Sequence, residues 1–128
     1  RWNQGELRSM GAVSQTDIMP SVLAYLGYSK PFFAFGEDAL TQAKKHPYAV
    51  CYNHPVYQLL SDSLLMQFDG EKVRAVYDYQ HDAMLQNNLA NQLNTKDMET
   101  YLRAYIQQYI YRLTTNQLTV ETDGSTRR

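Results

Sequence analysis

A short amphipathic helix is predicted between residues 17 and 26 by the spacing of the apolar side chains. The positions that share one helical face are Ile18, Met19, Val22, Leu23 and Leu26. We predict that Asp17 is the N-cap and that its carboxylate accepts hydrogen bonds from free N–H groups of the first turn. Pro20 is then the third helical residue, where a missing N–H costs no internal hydrogen bond, and we expect a loose or 3₁₀ first turn. Gly27 supplies the left-handed residue that ends the helix.

Runs rich in β-forming residues predict antiparallel strands in the middle of the chain. The segment PYAVCYNHPVYQLLSD has such runs on both sides of Pro55, which cannot donate to a strand ladder and so marks a break or an edge. In SLLMQFDGEKVRAVYDY, Asp69-Gly70 predicts a two-residue hairpin turn. That turn pairs Met66 with Val73 and Leu64 with Ala75 on an apolar face, and Gln67 with Lys72 and Leu65 with Arg74 on the other face.

A long C-terminal helix is predicted after Asn94, its expected N-cap, with Asp97 in the first turn. Its apolar face comprises Met98, Leu102, Tyr105, Tyr109 and Leu113, widened by Tyr101, Ile106 and Ile110. Residues 27–40 are predicted to be a connector with Phe32, Phe33 and Phe35 pointing inward, residues 1–14 a loop, and ETDGSTRR a frayed end. The predicted fold class is α+β, a small antiparallel sheet with the long C-terminal helix packed on one face, because this arrangement buries both apolar surfaces.

The composition is that of an ordinary globular protein, with 44% hydrophobic residues and a formal net charge of −1. Acidic and basic residues are interspersed, so there is no basic patch for an anionic membrane and no nucleic-acid partner is predicted. A single cysteine excludes an internal disulfide. No apolar run approaches the ~20 residues that span a bilayer, and no signal peptide is visible. Because the chain begins with Arg1 and not with Met, we expect that the true N-terminus has been removed.

One set of residues has a spacing that suggests a metal site. His46, Cys51 and His54, with His81 more distant, offer the imidazole and thiolate ligands that zinc prefers. A strand through this segment places Cys51 on the face opposite both His46 and His54, since each pair is separated by an odd number of residues. We therefore predict that these residues do not form a metal site. Nucleophile motifs and phosphate-binding loops are absent from the sequence.

Three carboxylates and a row of tyrosines have both a chemical and a structural interpretation. Asp69 sits in a tight turn, where aspartate is favoured for backbone reasons. Asp78 and Asp82 either form a carboxylate pair or, as we favour, order their loop by accepting hydrogen bonds from backbone N–H groups. The tyrosine row of the last helix is either a carbohydrate platform or, as its helical spacing favours, part of the core.

Two segments resemble motifs of the sulfatases and of the phosphoglycerol transferases related to lipoteichoic acid synthase, both in the alkaline phosphatase superfamily. SQTDIMPSVLAYLGY is similar to the pattern D-I/L-x-P-T/S-x-L-x-x-x-G, matched by Asp17, Pro20, Ser21, Leu23 and Gly27. VYDYQHDAMLQNNLA resembles Y-D-L-x-x-D-P-x-E-x-x-N-L-A, matched by Tyr77, Asp78, Asp82, Asn88, Leu89 and Ala90. Ala83 and Leu85 replace the proline and the glutamate of that pattern. The segments AFG and QFDGEKV favour the branch that is similar to lipoteichoic acid synthase.

The resemblance implies a parent enzyme that cleaves or transfers a sulfate or phosphate ester with a divalent cation, either manganese, calcium or zinc. In this superfamily the metal ligands, the Asp-His-Gly motif and the nucleophile precede the first motif, so we expect none of them, and no cofactor, in this chain. Residues 1–40 are then the tail end of an α/β catalytic domain, and residues 41–128 are a C-terminal antiparallel-sheet-plus-helix subdomain. The residues with implied structural roles are Asp17, Pro20, Gly27, Asp69, Gly70 and Asp78. Those at the edge of the substrate site are Tyr52, Asn53 and His54.

By the same resemblance, the partner of this segment is the N-terminal catalytic portion of the same polypeptide, anchored at the extracytoplasmic face of a membrane. The face of the first helix that bears Val22 and Leu26 then lacks its cover, so we expect an exposed apolar patch or a homodimer that hides it. The chain alone is expected neither to bind the catalytic metal nor to turn over an ester. The alternatives are an autonomous module that binds a glycan, a lipid headgroup or a protein, and a purely structural interaction domain.

Overall fold

The computed structural model describes residues 11–40 and 45–120. A 3₁₀ turn, Gln15–Asp17, leads into helix α1, Ile18–Tyr25. The later elements are strands β1 (Ala49–Asn53), β2 (Val56–Leu60), β3 (Leu64–Phe68) and β4 (Val73–Asp78), and helix α2 (Lys96–Thr114). The strands form one antiparallel sheet in the order β1-β2-β3-β4, which confirms the predicted α+β class. The predictions for residues 1–10 and 121–128 lie outside the described part of the chain.

Helix α2 packs on one face of the sheet, as predicted. The register places Leu59 opposite Met66 and Met66 opposite Val76, so these three buried side chains form a row across the sheet. Met98 and Leu102 of α2 pack against that row. The complete buried cluster is Leu59, Met66, Phe68, Val76, Met98 and Leu102.

Helix α2 differs from its prediction at both ends. Thr95 is the N-cap, and the side chain of Asn94 instead accepts a hydrogen bond from the Lys96 N–H at 3.2 Å. Near the other end, the side chains of Tyr109 and Leu113 are 46% and 51% exposed, although both lie on the predicted core face. A helix of 19 residues is about 28 Å long and a strand of five residues about 17 Å, so α2 extends beyond the sheet.

The N-terminal helix begins and ends as predicted. The 3₁₀ turn forms its first turn, and Pro20 is the third residue of α1 and is buried. Gly27 has a φ of +68°, and the Tyr28 N–H donates to the Leu23 carbonyl at 2.9 Å. The left-handed glycine therefore closes the helix by satisfying a terminal carbonyl.

The phenylalanines of the connector divide between the surface and the interior. The side chain of Phe32 is 42% exposed and packs edge to face on Tyr28 at a ring distance of 6.2 Å, so the prediction that it points inward is wrong. Phe33 and Phe35 are half-buried. The ring of Phe35 lies 5.4 Å from that of Tyr105 on α2, so the connector rests on the C-terminal helix.

The β3–β4 hairpin has a different register from the predicted one. The observed pairs are Leu64 with Asp78, Leu65 with Tyr77, Met66 with Val76, Gln67 with Ala75 and Phe68 with Val73. The four predicted pairs are therefore wrong, and the loop contains residues 69–72 instead of two residues. The register shifts between Gln67 and Phe68, which leaves Arg74 as the extra residue of a β-bulge. Because of this bulge, both Val73 and Val76 contact the core.

The carboxylate of Asp69 organises this loop. Its Oδ1 accepts hydrogen bonds from the N–H groups of Glu71 and Lys72, each at 2.8 Å, and its Oδ2 pairs with the Arg74 guanidinium. The two backbone N–H groups, followed by the Arg74 side chain, lower the pKa of Asp69 to about 2. Gly70, with a φ of +101°, completes the loop. The Asp69 side chain thus satisfies the N–H groups of Glu71 and Lys72. In a tighter turn these groups would have to pair with the neighbouring strand, so the carboxylate favours the wider loop.

We expect Asp69→Asn to lower the urea unfolding midpoint at about pH 7 and to have little effect at about pH 2. The pKa of Asp69 is lower in the folded state than in the unfolded chain. Its contribution to stability is therefore fully present above about pH 4 and is lost as the pH falls toward 2. Glu71→Gln, in the same loop, is the matched control and should leave the midpoint unchanged at both pH values. An equal effect of Asp69→Asn at both pH values contradicts the prediction.

The outer edge of β4 is covered by the segment that carries the second motif. Asn88 accepts a hydrogen bond from the Val76 N–H at 3.1 Å and donates from its Nδ2 to the Arg74 carbonyl at 3.3 Å. The Leu89 N–H donates to the Val76 carbonyl at 2.7 Å. Asn88 and Leu89 therefore take the place of a further strand and protect the sheet edge from pairing with another chain.

Asp78 and Asp82 order the loop between β4 and this edge segment. Asp78 Oδ1 accepts from the N–H groups of Gln80 at 3.1 Å and His81 at 3.2 Å. Asp82 Oδ2 accepts from the Asn87 N–H at 2.7 Å. These bonds confirm the interpretation in which the carboxylates serve the backbone.

Candidate functional site

The buried carboxylate of Asp17 joins the 3₁₀ turn to the connector. Its side chain is 2% exposed, and it accepts hydrogen bonds from the N–H groups of Ser14 and Glu37, each at 2.8 Å. Ser14 caps the turn through its own hydroxyl, which accepts from the Thr16 N–H. Asp17 makes no side-chain capping bond to α1, so the predicted role of its carboxylate is wrong. The carboxylate is unavailable to α1 because it binds Ser14 and Glu37.

The connector lies directly against this turn. The Ser21 hydroxyl donates to the Asp17 carbonyl at 2.6 Å and accepts from the Ala39 N–H at 2.9 Å. Gly36 passes so close that a Cβ atom there would lie 2.2 Å from the Thr16 carbonyl oxygen. The position of Glu37, the next residue, is therefore fixed by hydrogen bonds and by a backbone contact that only glycine permits.

Glu37 and His46 form a carboxylate–histidine pair at this junction. Glu37 Oε1 lies 2.6 Å from His46 Nδ1, and Oε2 accepts from the Lys45 N–H at 2.7 Å. Burial raises the pKa of Glu37, but the hydrogen bonds from the His46 side chain and the Lys45 N–H outweigh it, so the pKa is lowered overall. An ionised Glu37 selects the form of His46 that carries a proton on Nδ1. Nε2 of His46 has no hydrogen-bond partner among the residues that the structure describes.

An aromatic surface formed by Tyr48, just before β1, and by Tyr101 of α2 supports the imidazole ring. The ring of His46 lies 5.6 Å from that of Tyr101, which lies 4.8 Å from that of Tyr48. Burial raises the pKa of Tyr101 and of Tyr105, so both phenols are neutral near pH 7. These tyrosines belong partly to the core, in agreement with the structural interpretation of the row, and their exposed edges form one wall of the site.

Two clefts border the connector. The larger has a volume of about 570 Å³ and lies between the connector and the α1 face with Pro20 and Ala24. Its other lining residues are Tyr28, Phe32, Ala34, Gly36, Glu37, Asp38 and Lys45. The smaller, of about 300 Å³, lies between Phe33 and Phe35 of the connector and α2, where Arg112 stacks on the Phe33 ring at 3.9 Å. Glu37 lines the larger cleft, whereas its partner His46 does not line it and faces the small cavity bordered by Tyr48 and Tyr101.

The residues considered for zinc are not brought together. His46 is bound to Glu37, and His81 to Asp78 at 2.8 Å, while the Cys51 thiol donates to Gln58 at 3.5 Å. Within residues 11–40 and 45–120, no group of three or more His, Cys, Asp or Glu side chains could hold a metal ion.

The predicted edge residues of the substrate site lie at the turn between β1 and β2. Tyr52 and Asn53 end β1, and His54 precedes Pro55 in the turn through a cis peptide bond. The Tyr52 side chain is 56% exposed, and its ring lies 6.1 Å from that of His54 and 4.7 Å from that of Tyr57. The structure thus brings the predicted residues together as an exposed aromatic cluster, and their assignment to a substrate site stays a prediction.

The sequence reasoning missed Glu37, which is central to the site. The segment FFAFGEDAL has neither a helical nor a strand period, and Glu37 reaches its partners Asp17 and His46 across 20 and nine residues. The available signal was Gly36 beside two carboxylates, which indicates a close backbone approach next to charged groups.

Comparison of the chain with protein-family models, curated proteins and solved structures found no match. Of the helices in the described residues, none has both the length and the apolar character needed to cross a membrane.

Proposed function

We propose that this chain is the C-terminal segment of a metal-dependent sulfatase or phosphoglycerol-transferase-like enzyme and serves as scaffold without its own catalytic centre. The parent cleaves or transfers a sulfate or phosphate ester at the extracytoplasmic face of a membrane, with a divalent cation bound by the N-terminal portion. The two resembling motifs, in the order that the superfamily requires, support this proposal. The observation that carries it is the uncovered face of α1.

That face is a continuous apolar surface. The exposed fractions are 60% for Ile18, 46% for Met19, 46% for Val22, 77% for Tyr25 and 70% for Leu26. No residue of α1 is charged, and the exposed side chains of this face are apolar apart from the hydroxyl of Tyr25. An apolar face of this kind marks an interaction surface. In the proposed parent it packs against the N-terminal catalytic portion of the same polypeptide.

The roles of the motif residues support the same proposal. Asp17 fixes the connector, Pro20 and Gly27 define α1, and Asp78 and Asn88 order the loop and the edge of β4. Each of these residues acts on the fold of this segment. A segment whose motifs are structural suits a scaffold for chemistry performed elsewhere in the chain.

The test is to sequence the gene upstream of the Arg1 codon and to assay its full product. We expect an upstream Asp-His-Gly motif and manganese-dependent turnover of p-nitrophenyl sulfate or bis(p-nitrophenyl) phosphate by the full-length protein. The 128-residue chain, as a control, should show no turnover above background. Turnover by this chain alone, or a full-length product without the motif and without activity, overturns the proposal.

An autonomous binding module is the second candidate, and the two clefts along the connector favour it. Their aromatic lining, with Tyr28 and Phe32 in the larger and Phe35 and Tyr105 in the smaller, suits a glycan, a lipid headgroup or a peptide side chain. A coding sequence that begins close to the Arg1 codon would favour this function over that of an enzyme segment. Sedimentation of the chain then shows whether the apolar face of α1 is hidden in a homodimer.

A further inference from the structure

We propose that the smaller cleft binds a small aromatic carboxylic acid, with Arg112 bound to its carboxylate and its ring held between the connector and α2. This narrows the range of ligands that the aromatic lining admits. The inference adds a binding site and no catalytic step, so it goes beyond the proposed function and holds whether the chain is an enzyme segment or an autonomous module. The residues that line the cleft are Phe33, Ala34 and Phe35 of the connector and Tyr101, Ala104, Tyr105, Gln108 and Arg112 of α2.

The charge of the cleft favours an anion. Among the described residues that line it, Arg112 is the only charged one, and no carboxylate in the described part of the chain forms an ion pair with it. Arg103, earlier on the same helix, instead pairs with Glu99 at 2.7 Å. An unpaired cation beside apolar rings attracts a negative group more strongly than one in open water. The larger cleft lacks this preference, because Glu37 and Asp38 line it.

The guanidinium of Arg112 is held in place before any ligand binds. Its central carbon lies 3.9 Å from the centre of the Phe33 ring, and Nη1 donates to the Gln117 carbonyl at 3.1 Å. The side chain is half-buried. A guanidinium carries five N–H groups in a planar fork, so donors remain for both oxygens of a carboxylate. Because the side chain is already oriented, little conformational entropy is lost when a carboxylate binds.

The rings of the cleft suit an aromatic body better than a sugar. Phe33 and Phe35 lie 5.0 Å apart at an interplanar angle of 84°, and Phe35 lies 5.4 Å from Tyr105 at 54°. The rings therefore offer the tilted and edge contacts that another aromatic ring prefers. Apart from Arg112, the polar groups of the lining are the Gln108 amide and the tyrosine hydroxyls, too few for the hydroxyl groups of a sugar. A volume of about 300 Å³ is at the lower end for ligand pockets, so one or two rings fit.

Arg112 also has a structural role, which the experiment must separate from binding. It is the basic residue in the last turn of α2, where a cation stabilises the end of a helix, and its bond to Gln117 holds the chain that follows. A purely structural role predicts a loss of stability on substitution and no dependence on the charge of a ligand. The experiment therefore compares a charged and an uncharged form of the same aromatic body.

The probes are phenylacetate and the uncharged phenylacetamide, titrated into the 128-residue chain and followed by two-dimensional proton–nitrogen NMR. We expect phenylacetate to shift the amide signals of Ala104 and Gln108 and to bind at least about 10-fold more tightly than phenylacetamide. Arg112→Gln should weaken phenylacetate binding by about 10-fold and phenylacetamide binding by less than about 2-fold. Arg103→Gln is the matched control and should change neither affinity, because Arg103 lies over the ring of Phe68, at 4.5 Å, outside the cleft.

Several results would overturn the inference. They are equal binding of the two probes, signal shifts that leave out Ala104 and Gln108, and equal effects of Arg112→Gln and Arg103→Gln. Glucuronate, which joins a carboxylate to a sugar ring, is titrated as well, and tighter binding of glucuronate than of phenylacetate refutes the aromatic ligand. None of these results depends on ester turnover, so they leave the proposed function untouched.

A second variant keeps the test decisive if thermal unfolding shows that Arg112→Gln does not fold. Ala104 lines the cleft and is exposed on α2, so Ala104→Trp fills the cleft and leaves Arg112 in place. We expect this variant to weaken phenylacetate binding by about 10-fold or more. Unchanged binding would place the ligand elsewhere on the chain and refute the proposed site.

Discussion

Gly36→Ala is expected to lower the free energy of unfolding by about 3 kcal/mol or more. The added methyl carbon would lie 2.2 Å from the Thr16 carbonyl oxygen and 2.5 Å from the Asp17 amide nitrogen. Both atoms belong to the backbone of the 3₁₀ turn and cannot move aside as a flexible side chain can. The connector must therefore withdraw, which breaks the hydrogen bond from the Glu37 N–H to Asp17. Urea unfolding monitored by circular dichroism measures the loss.

Gly27→Ala is the matched control for this prediction. Gly27 has a φ of +68°, but no atom lies within 4 Å of a Cβ built there. Alanine at this position meets only the cost of a left-handed conformation, about 1 kcal/mol. If the two substitutions have equal effects, the connector is not held against the turn in the way the structure shows. The difference between them isolates the close backbone contact from the general cost of replacing glycine.

The withdrawal of the connector has a further consequence for the candidate site. Glu37 follows Gly36 directly and contacts His46 nine residues later, so a displaced connector also separates the carboxylate from the imidazole. The stability of the turn and the geometry of the site therefore depend on the same backbone contact. A variant at Gly36 should alter both, whereas a variant at Gly27 should leave the site intact.

Periodicity predicted those parts of the fold that are stabilised by repeated local contacts. The helical spacing of Met98 and Leu102 follows from burial on one face, and the structure confirms it. The predicted alternation of the hairpin holds only in part, because the neighbours Leu65 and Met66 in β3, and Ala75 and Val76 in β4, are all buried. The predicted register of the hairpin was wrong because the Asp-Gly pair signals only a backbone conformation. It does not reveal that the Asp69 carboxylate binds two N–H groups of a wider loop.

The candidate site could not be predicted because its contacts join residues that are far apart in irregular segments. Asp17 is the N-cap residue of α1, as predicted, but its carboxylate accepts from the N–H groups of Ser14 and of Glu37, the latter 20 residues later. His46 was considered for its distance from Cys51 in sequence, whereas its partner Glu37 lies in the connector. Neither contact has a period, so only the structure reveals the pair.

A second large loss of stability is expected from a substitution in the buried core between α2 and the sheet. Leu102→Ala is expected to lower the free energy of unfolding by about 3 kcal/mol, because it removes a fully buried side chain and leaves a cavity. Leu102 packs in the cluster with Met66 and Val76, where the sheet covers it completely. Leu113→Ala, on the same helix and of the same chemistry, should change stability by less than about 0.5 kcal/mol, since its side chain is 51% exposed.

The two leucines also test where α2 leaves the sheet. If Leu113→Ala proves as costly as Leu102→Ala in the 128-residue chain, the C-terminal part of α2 is covered by a surface of another copy. Dilution should then reduce that cost, because a contact between copies weakens with concentration. If both substitutions lower the free energy of unfolding only slightly, α2 does not pack on the sheet through Leu102, and the α+β core is contradicted.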